Sequence, residues 1–432
     1  MHRRLVEFLL LLFLAVIGVN RPALPFNATG ADLIFVPLAI SILAAAGFRW
    51  TWRRPDFAVA IYLLGAVPAI AISTDQRASA VELLRELYLA AIYFIIAIAA
   101  REGFARAVGK GLALGAGVLS IAGLIFIVLH RSGMMAPAPG MGEFMQLPYL
   151  GETLRLRAMT ASEAMFACLL TAAVPFAIAM CTANRIRAWC AACAVMIVAA
   201  ALTFSHALAG FTVAVVIAAW PLVKARRHLR RAAIAAALFA VLVLNFAATV
   251  SIRSITNEES KYTDQSNYHY GVDQGQIQID DVTVTYSVMS YARIKQVAWR
   301  AFLEHPIAGV GLDRFHTQTI RAFEEVRLTA LYREIDPHSA LLGRLAECGL
   351  IGGLTLLMLW GAWAGMARDG ASSPLGYAAG AALAGLVVSS LNADIMNFRF
   401  VWVLAGLLRG LQDANGMVTA SGRGESDTGG TR

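Results

Sequence analysis

The stretch Ala207-Leu-Ala-Gly-Phe-Thr-Val-Ala-Val-Val-Ile-Ala-Ala-Trp-Pro-Leu-Val223, followed at once by Lys224-Ala-Arg-Arg-His-Leu-Arg-Arg231, decides how this chain folds. Seventeen residues pass without an ionisable side chain, and then five Lys and Arg arrive within eight. A helix needs about 20 mostly apolar residues to cross lipid, and basic clusters gather on the cytoplasmic side. The stretch therefore reads as a membrane span that ends in the cytoplasm. Working outward, apolar stretches recur at about 5–19, 31–48, 57–73, 82–100, 108–129, 160–181, 187–204, 207–223, 232–250, 340–364, 375–391 and 397–412. Basic clusters fall before the first and after every second one: His2-Arg3-Arg4, Arg49 to Arg54, Arg101 to Lys110, Arg185 with Arg187, and the cluster at 224–231. The intervening loops are less basic. The expectation is an all-α polytopic membrane protein of about twelve transmembrane helices with both termini in the cytoplasm.

Composition agrees. Of 432 residues, 58% are hydrophobic and only 15% are charged, more apolar side chain than a soluble surface can hide. The net charge of +8 is a topology signal, and the aromatic-interleaved basic surface of a nucleic-acid binder is missing. The five cysteines, Cys168, Cys181, Cys190, Cys193 and Cys348, lie in or beside apolar segments. No disulfide framework is expected, and the Cys190/Cys193 pair reads as small apolar packing. Met1 to Arg4 followed by Leu5 to Val19 resembles a signal peptide. Asn20-Arg21-Pro22 follows with no small-residue cleavage site, so the segment reads as the first membrane helix.

Two loops on the non-cytoplasmic side are long. The first, about 130–160, holds Pro137, Pro139 and Pro148 and ends in Leu154-Arg-Leu-Arg157. The second, 251–339, lies between helices 9 and 10 and carries nine basic and twelve acidic residues. Val282-Thr-Val-Thr-Tyr286 alternates like a short strand, whereas Ser290 to Glu304 and Arg314 to Glu334 have helical patterns, so the loop is expected to be mostly helical. The organisation expected is nine helices over 1–250, the large loop 251–339, three helices over 340–412 and a disordered cytoplasmic tail 413–432. There is no internal repeat.

The residues that carry chemistry cluster where the large loop meets the tenth span. Arg293-Ile-Lys-Gln-Val-Ala-Trp-Arg-Ala-Phe-Leu-Glu-His-Pro-Ile-Ala-Gly-Val-Gly-Leu-Asp-Arg-Phe315 is followed, after a gap, by Asp336-Pro-His-Ser-Ala-Leu-Leu-Gly-Arg-Leu-Ala-Glu-Cys-Gly-Leu-Ile-Gly352. An Arg-led helix, a His-Pro-x-x-Gly-x-Gly turn and a Pro-His-led helix, in this order, resemble the O-antigen ligase and polysaccharide polymerase family of bacterial inner membranes. The span count and the late large loop extend the resemblance along the chain. It implies a metal-independent, inverting glycosyltransferase with no cofactor. Such an enzyme moves a glycan from undecaprenyl pyrophosphate to an acceptor sugar hydroxyl on the periplasmic face. It also implies one essential histidine, here His338, and periplasmic arginines, here Arg293 and either Arg155 or Arg157. The partners implied are the lipid-linked donor, a lipid A-core or other glycan acceptor, and the bilayer.

The same side chains suit that chemistry on physical grounds. Guanidinium groups are permanently charged and grip phosphate oxygens in a bidentate fork, and stabilising charge on a leaving group is a large catalytic contribution. Imidazole is the natural base for a hydroxyl near neutral pH. Each also has a plainer reading. His338 after a proline can order a helix start, and Arg293 can pair with Asp281 or Glu304. Arg155 and Arg157 alternate with leucines, as interfacial arginines do. Glu347 is expected to pair with Arg344 at i,i+3, and Gly309 and Gly311 to serve a backbone turn. Arg300, Glu347 and His206 are secondary candidates. His206 stands where many members of the family carry arginine, and Ser339 where Asn is common.

The leading expectation is an O-antigen ligase acting on lipid A-core; a polymerase of the same family or a protein O-oligosaccharyltransferase are alternatives. A lipid-linked sugar transporter would carry ionisable residues deep in its spans. Here they are expected only at edges, such as Glu82, Arg85 and Glu86. A divalent metal would require a cluster such as Asp280-Asp281, and none is expected.

Overall fold

A computed structural model describes the chain except for residues 1, 21–27, 47–49, 137, 139, 148–150, 185–186, 257–271, 280–281, 289, 323–335 and 425–432. In chain order the elements are α1 (His2–Val16), α2 (Gly30–Ala46), α3 (Arg54–Leu64), α4 (Val67–Ile72), α5 (Gln76–Ala99), α6 (Ala105–Arg131), β1 (Gly142–Leu147) and β2 (Gly151–Leu156). Then come α7 (Glu163–Asn184), α8 (Arg187–Ala201), α9 (Leu208–Val223), α10 (Arg227–Thr249), β3 (Val250–Thr256), β4 (Val272–Ile279) and β5 (Val282–Val288). The chain continues through α11 (Ser290–Glu304), α12 (Phe315–Ala322), α13 (Ala340–Gly370), α14 (Pro374–Ser389) and α15 (Arg399–Gly424).

Every apolar stretch picked out by its composition is helical. Among the described residues five helical segments are long and apolar enough to cross a membrane: Arg54–Ile72, Gln76–Arg131, Glu163–Thr182, Arg227–Thr249 and Ala340–Gly370. The helices α2, α8, α9 and α14 are apolar but shorter. Two stretches differ in detail from a plain span. The third breaks between α3 and α4, with Pro68 in the first turn of the new helix, where its missing N–H costs nothing. α5 and α6 run on through a π-helical turn, Ala100–Phe104, bent at Gly103.

Close helix contact depends on small residues, as it must where lipid is the competing apolar surface. Gly406-Leu-Leu-Arg-Gly410 on α15 lies against α5, and a methyl at either glycine would run into the Tyr93 or Ala97 carbonyl oxygen. α7, α9 and α14 form a second tight group, in which Phe166, Phe176 and Leu386 are fully buried. Leu33, Phe239 and Leu242 point outward.

Charge reaches further into the helices than the edge residues suggested. Arg409, fully buried, forks onto Asp56 with Nε 3.0 Å from Oδ1, and Tyr93 donates to the same carboxylate at 2.7 Å. Arg344 reaches Glu86 at 2.5 Å across the α13–α5 interface, and Arg399 reaches Asp32 at 2.6 Å. Each arginine is matched by a carboxylate, which is how buried charge is tolerated.

Both long loops contain strands. In the first, β1 and β2 form an antiparallel hairpin that pairs Gly142 with Leu156 and Leu147 with Gly151. In the second, the expected strand is the centre of an antiparallel sheet ordered β3-β5-β4, so the loop is mixed rather than mostly helical. Alternating Thr/Val residues in β5 suit a pleated surface better than a helix. The helix expected over Arg314 to Glu334 is described as α12 only to Ala322; the remainder, like the Asp280-Asp281 pair, lies outside the described residues. α15 continues past Gln412 to Gly424, where a disordered tail was expected. A disulfide, also not expected, joins Cys181 to Cys190. The antiparallel ends of α7 and α8 bring their Cα atoms to 5.4 Å, within bridging range.

Candidate active site

The two motifs of the loop and the tenth span interlock. α13 is interrupted at Gly349 (φ +61°), and the turn Pro306 to Gly311 lies in the break. Leu350 N–H donates to Pro306 C=O at 2.7 Å and Ile351 N–H to Ile307 C=O at 3.3 Å. In the other direction, Val310 N–H donates to Ala346 C=O at 2.9 Å and Gly311 N–H to Glu347 C=O at 3.0 Å. The bonds that a continuous helix would have made to itself are thus exchanged for bonds to the loop. The crossing leaves no room for Cβ: a methyl on Gly309 would strike the Glu347 backbone, and one on Gly349 the Ile307 backbone. Gly309 and Gly311 take φ of +73° and +110°, which glycine alone adopts freely. Ser79 then fastens the chain beyond the turn, donating to the Leu312 carbonyl at 2.6 Å.

Glu347 belongs to this junction. Its carboxylate accepts from the Phe315 N–H at 3.3 Å, not from Arg344 as expected. Arg344 points the other way, to Glu86 and the Tyr62 carbonyl, with its guanidinium over the Tyr62 ring. The break at Gly349 begins just beyond Glu347, so its side chain is claimed by the docked loop.

Where the large loop returns to α13, Asp336-Pro-His338 makes a tight turn. His338 is left-handed, φ +48°, a conformation costly for most residues but commoner for His, Asn and Asp. Asp336 holds it twice: its Oδ1 accepts the His338 backbone N–H at 2.7 Å and lies 3.0 Å from ring Nδ1. A carboxylate on Nδ1 selects the Nδ1–H tautomer, which makes Nε2 the basic nitrogen. Burial raises the affinity of Asp336 for its proton, but the His338 charge and the two hydrogen bonds outweigh it, so the carboxyl lies below its ordinary range. On one face the imidazole stacks on Tyr291, ring centres 4.5 Å apart at 26°. Tyr291 opens α11, whose Ile294, Val297, Ala298 and Ala301 are buried together with Ala346 of α13. The apolar face of α11 therefore sets where Tyr291 sits over the histidine.

Tyr291 also joins His338 to the α8–α9 turn, because His206 meets its ring edge-on at 5.5 Å. Arg155 shapes that turn: it is buried, donates to the Thr203 and Phe204 carbonyls at 3.1 and 3.3 Å, and pairs with Glu163 at 2.7 Å. Burial, together with the nearby Arg155 and Lys295 charges, pushes His206 down to about 4. It is neutral at ordinary pH and cannot replace a permanent cation. Arg157 diverges from Arg155, pairing with Glu143 at 3.1 Å and donating to the Ala161 carbonyl. Arg293 is half-buried on α11, two residues from Tyr291. Arg300 is two turns further along, about 10 Å at 1.5 Å per residue. His338, Arg155 and His206 are thus linked through Tyr291, with Arg293 adjacent in sequence; Arg157, Arg300 and Glu347 stand apart.

Reaching Ala161, a cavity of about 720 Å³ opens between the first turns of α2, α7 and α15 and the first half of α5. Val81, Leu84 and Phe398 give it apolar walls, and Arg85, Asp32 and Arg399 give it charge.

Residues 191–357, which span the interlocked motifs, match a family model described as O-antigen ligase. Over this stretch the chain is similar to the O-antigen ligase family. The matched region holds His206, Tyr291, Arg293, His338 and the Gly309–Gly349 crossing, so the family resemblance and the geometry coincide. With its apolar helices, the similarity points to a helical membrane protein like those of this glycosyltransferase-like ligase and polymerase family. No curated protein matches the chain.

Reading the sequence missed Asp336, Tyr291 and Lys295. Asp336 had a signal, since Asp two residues before a turn residue commonly accepts its N–H. Tyr291 and Lys295 had none, because their importance lies in contacts with residues far along the chain.

Proposed function

We propose that the chain is an O-antigen ligase that moves a glycan from undecaprenyl pyrophosphate to a hydroxyl of lipid A-core, on the periplasmic side of a bacterial inner membrane. The observation that carries the reading is the Asp336–His338 pair under Tyr291, at the junction of the large loop and α13. His338 Nε2 takes the proton of the acceptor hydroxyl while its oxygen attacks the anomeric carbon. The bond to the pyrophosphate breaks on the opposite face, giving inversion. Asp336 keeps the ring oriented and stabilises the imidazolium, as a carboxylate does for a histidine base. Arg293 and Arg155 supply charge where the pyrophosphate departs. The cavity walled by Val81, Leu84 and Phe398 suits the first isoprene units of the donor. A growing lipid-linked chain as acceptor would make the same chemistry a polymerase.

The test is transfer by purified protein from undecaprenyl-pyrophosphate glycan to lipid A-core, run with and without EDTA. His338→Asn and His338→Ala should insert normally and lose at least about a hundredfold in rate, the usual contribution of a positioned base. Full activity in both would overturn the reading. Transfer to a growing chain but not to lipid A-core would replace ligase by polymerase.

A further inference from the structure

The arginines described so far in contact with carboxylates have one each or more: Arg155 has Glu163, Arg157 has Glu143, Arg344 has Glu86, Arg399 has Asp32, and Arg409 has Asp56 and Asp413. Lys295 is different. It lies on α11 one turn beyond Tyr291, half-buried, and among the described residues no carboxylate forms an ion pair with it. Its Nζ donates instead to an uncharged oxygen, Asn392 Oδ1, at 2.7 Å. Asn392 is itself held, donating from Nδ2 to Asn245 Oδ1 at 2.9 Å, and Asn245 donates to the Val241 carbonyl at 2.7 Å. The chain of amides runs from the α14–α15 loop to α10 and fixes the ammonium without neutralising it.

Taking an ammonium out of water without a counter-charge is costly. Arg155 also acts on His206, as Lys295 does, but Arg155 has its carboxylate in Glu163, which Lys295 lacks among the described residues. An ammonium has three N–H donors, and the amide uses one. A partly desolvated cation, anchored by neutral amides and without a carboxylate among the described residues, has the character of a receptor for an anion. Burial pushes Lys295 down to about 8, the response of an ammonium with no negative partner.

We propose that Lys295 Nζ, anchored by Asn392 and Asn245 one turn from Tyr291, binds a phosphate oxygen of a pyrophosphate headgroup. The assignment rests on the proposed donor, deepens it, and gives the pyrophosphate a ligand outside the arginines of the motif.

The experiment uses the full protein in nanodiscs and measures binding of undecaprenyl pyrophosphate, undecaprenol and inorganic pyrophosphate by native mass spectrometry. The wild type should prefer undecaprenyl pyrophosphate to undecaprenol. Lys295→Met should lose about tenfold of that preference, the worth of one charge-assisted hydrogen bond, while binding undecaprenol unchanged. Lys295→Arg should retain most of it. Asn392→Asp, which leaves the lysine in place and gives it a counter-charge, should weaken pyrophosphate binding like Lys295→Met, and it decides the matter if the methionine variant fails to fold. A preference that survives both Lys295→Met and Asn392→Asp overturns the Lys295 assignment and leaves the donor reading standing. No preference in the wild type overturns both. Inorganic pyrophosphate that competes as strongly as the lipid keeps the anion site but removes the lipid headgroup as its occupant.

Discussion

His338 shows how much one position must satisfy. Its ring needs Asp336 on Nδ1 and Tyr291 on one face, and its backbone must be left-handed. Asp336→Asn keeps the turn but loses the charge that steadies an imidazolium. Its rate should fall about a hundredfold or more, with the change confined to kcat in steady-state transfer assays. His338→Asn is a fairer test of chemistry than a β-branched substitution, because Asn accepts φ +48°. Lys295 adds a pH dependence with a definite sign. A lysine is charged below its pKa, so pyrophosphate affinity should be full at pH 6 and fall as pH rises through about 8. In Lys295→Arg that fall should vanish, which binding isotherms at several pH values would reveal. Sequence made His338 and the arginines visible because their residue types suit the chemistry. It could not separate Arg155 from Arg157, since both alternate with leucine. Only the hairpin turns the first into the α8–α9 turn and the second toward Glu143.

At the level of elements, the apolar helices were legible because lipid demands a long uninterrupted run of side chains. The strands were not. Pairing between segments such as Gly142–Leu147 and Gly151–Leu156 leaves only a weak mark in a single sequence, and in β4 the alternation is confined to Gln276-Ile-Gln-Ile279. Glu347 was misread for a related reason: helical spacing assigns partners on an ideal helix, and α13 is not one. Its break at Gly349 places a Cβ-free backbone against Ile307. Gly349→Ala and Gly309→Ala should therefore each destabilise the folded protein by more than about 2 kcal/mol. A thermal scan in detergent checks this, and Gly361→Ala, where a methyl meets nothing, is the control.

Across the whole molecule, buried ion pairs tie helices distant in sequence, α15 to α3 through Arg409–Asp56 and α13 to α5 through Arg344–Glu86. Such pairs cost desolvation to assemble and are damaging to break. Arg409→Met should destabilise by about 3–5 kcal/mol, because Asp56 is left buried and uncompensated. The double variant Arg409→Met/Asp56→Leu should recover much of that loss, and thermal denaturation of the set would decide. The crossing of the loop turn with α13 has a consequence for the bundle as a whole. Leu350 and Ile351 have given up their own helical acceptors to bond the loop. Were the turn to lift away, the same N–H groups could close onto Ala346 and Glu347, and α13 would lose its bend. Seating of the loop turn and curvature of α13 are therefore two ends of a single lever, with Arg344 riding on its short arm.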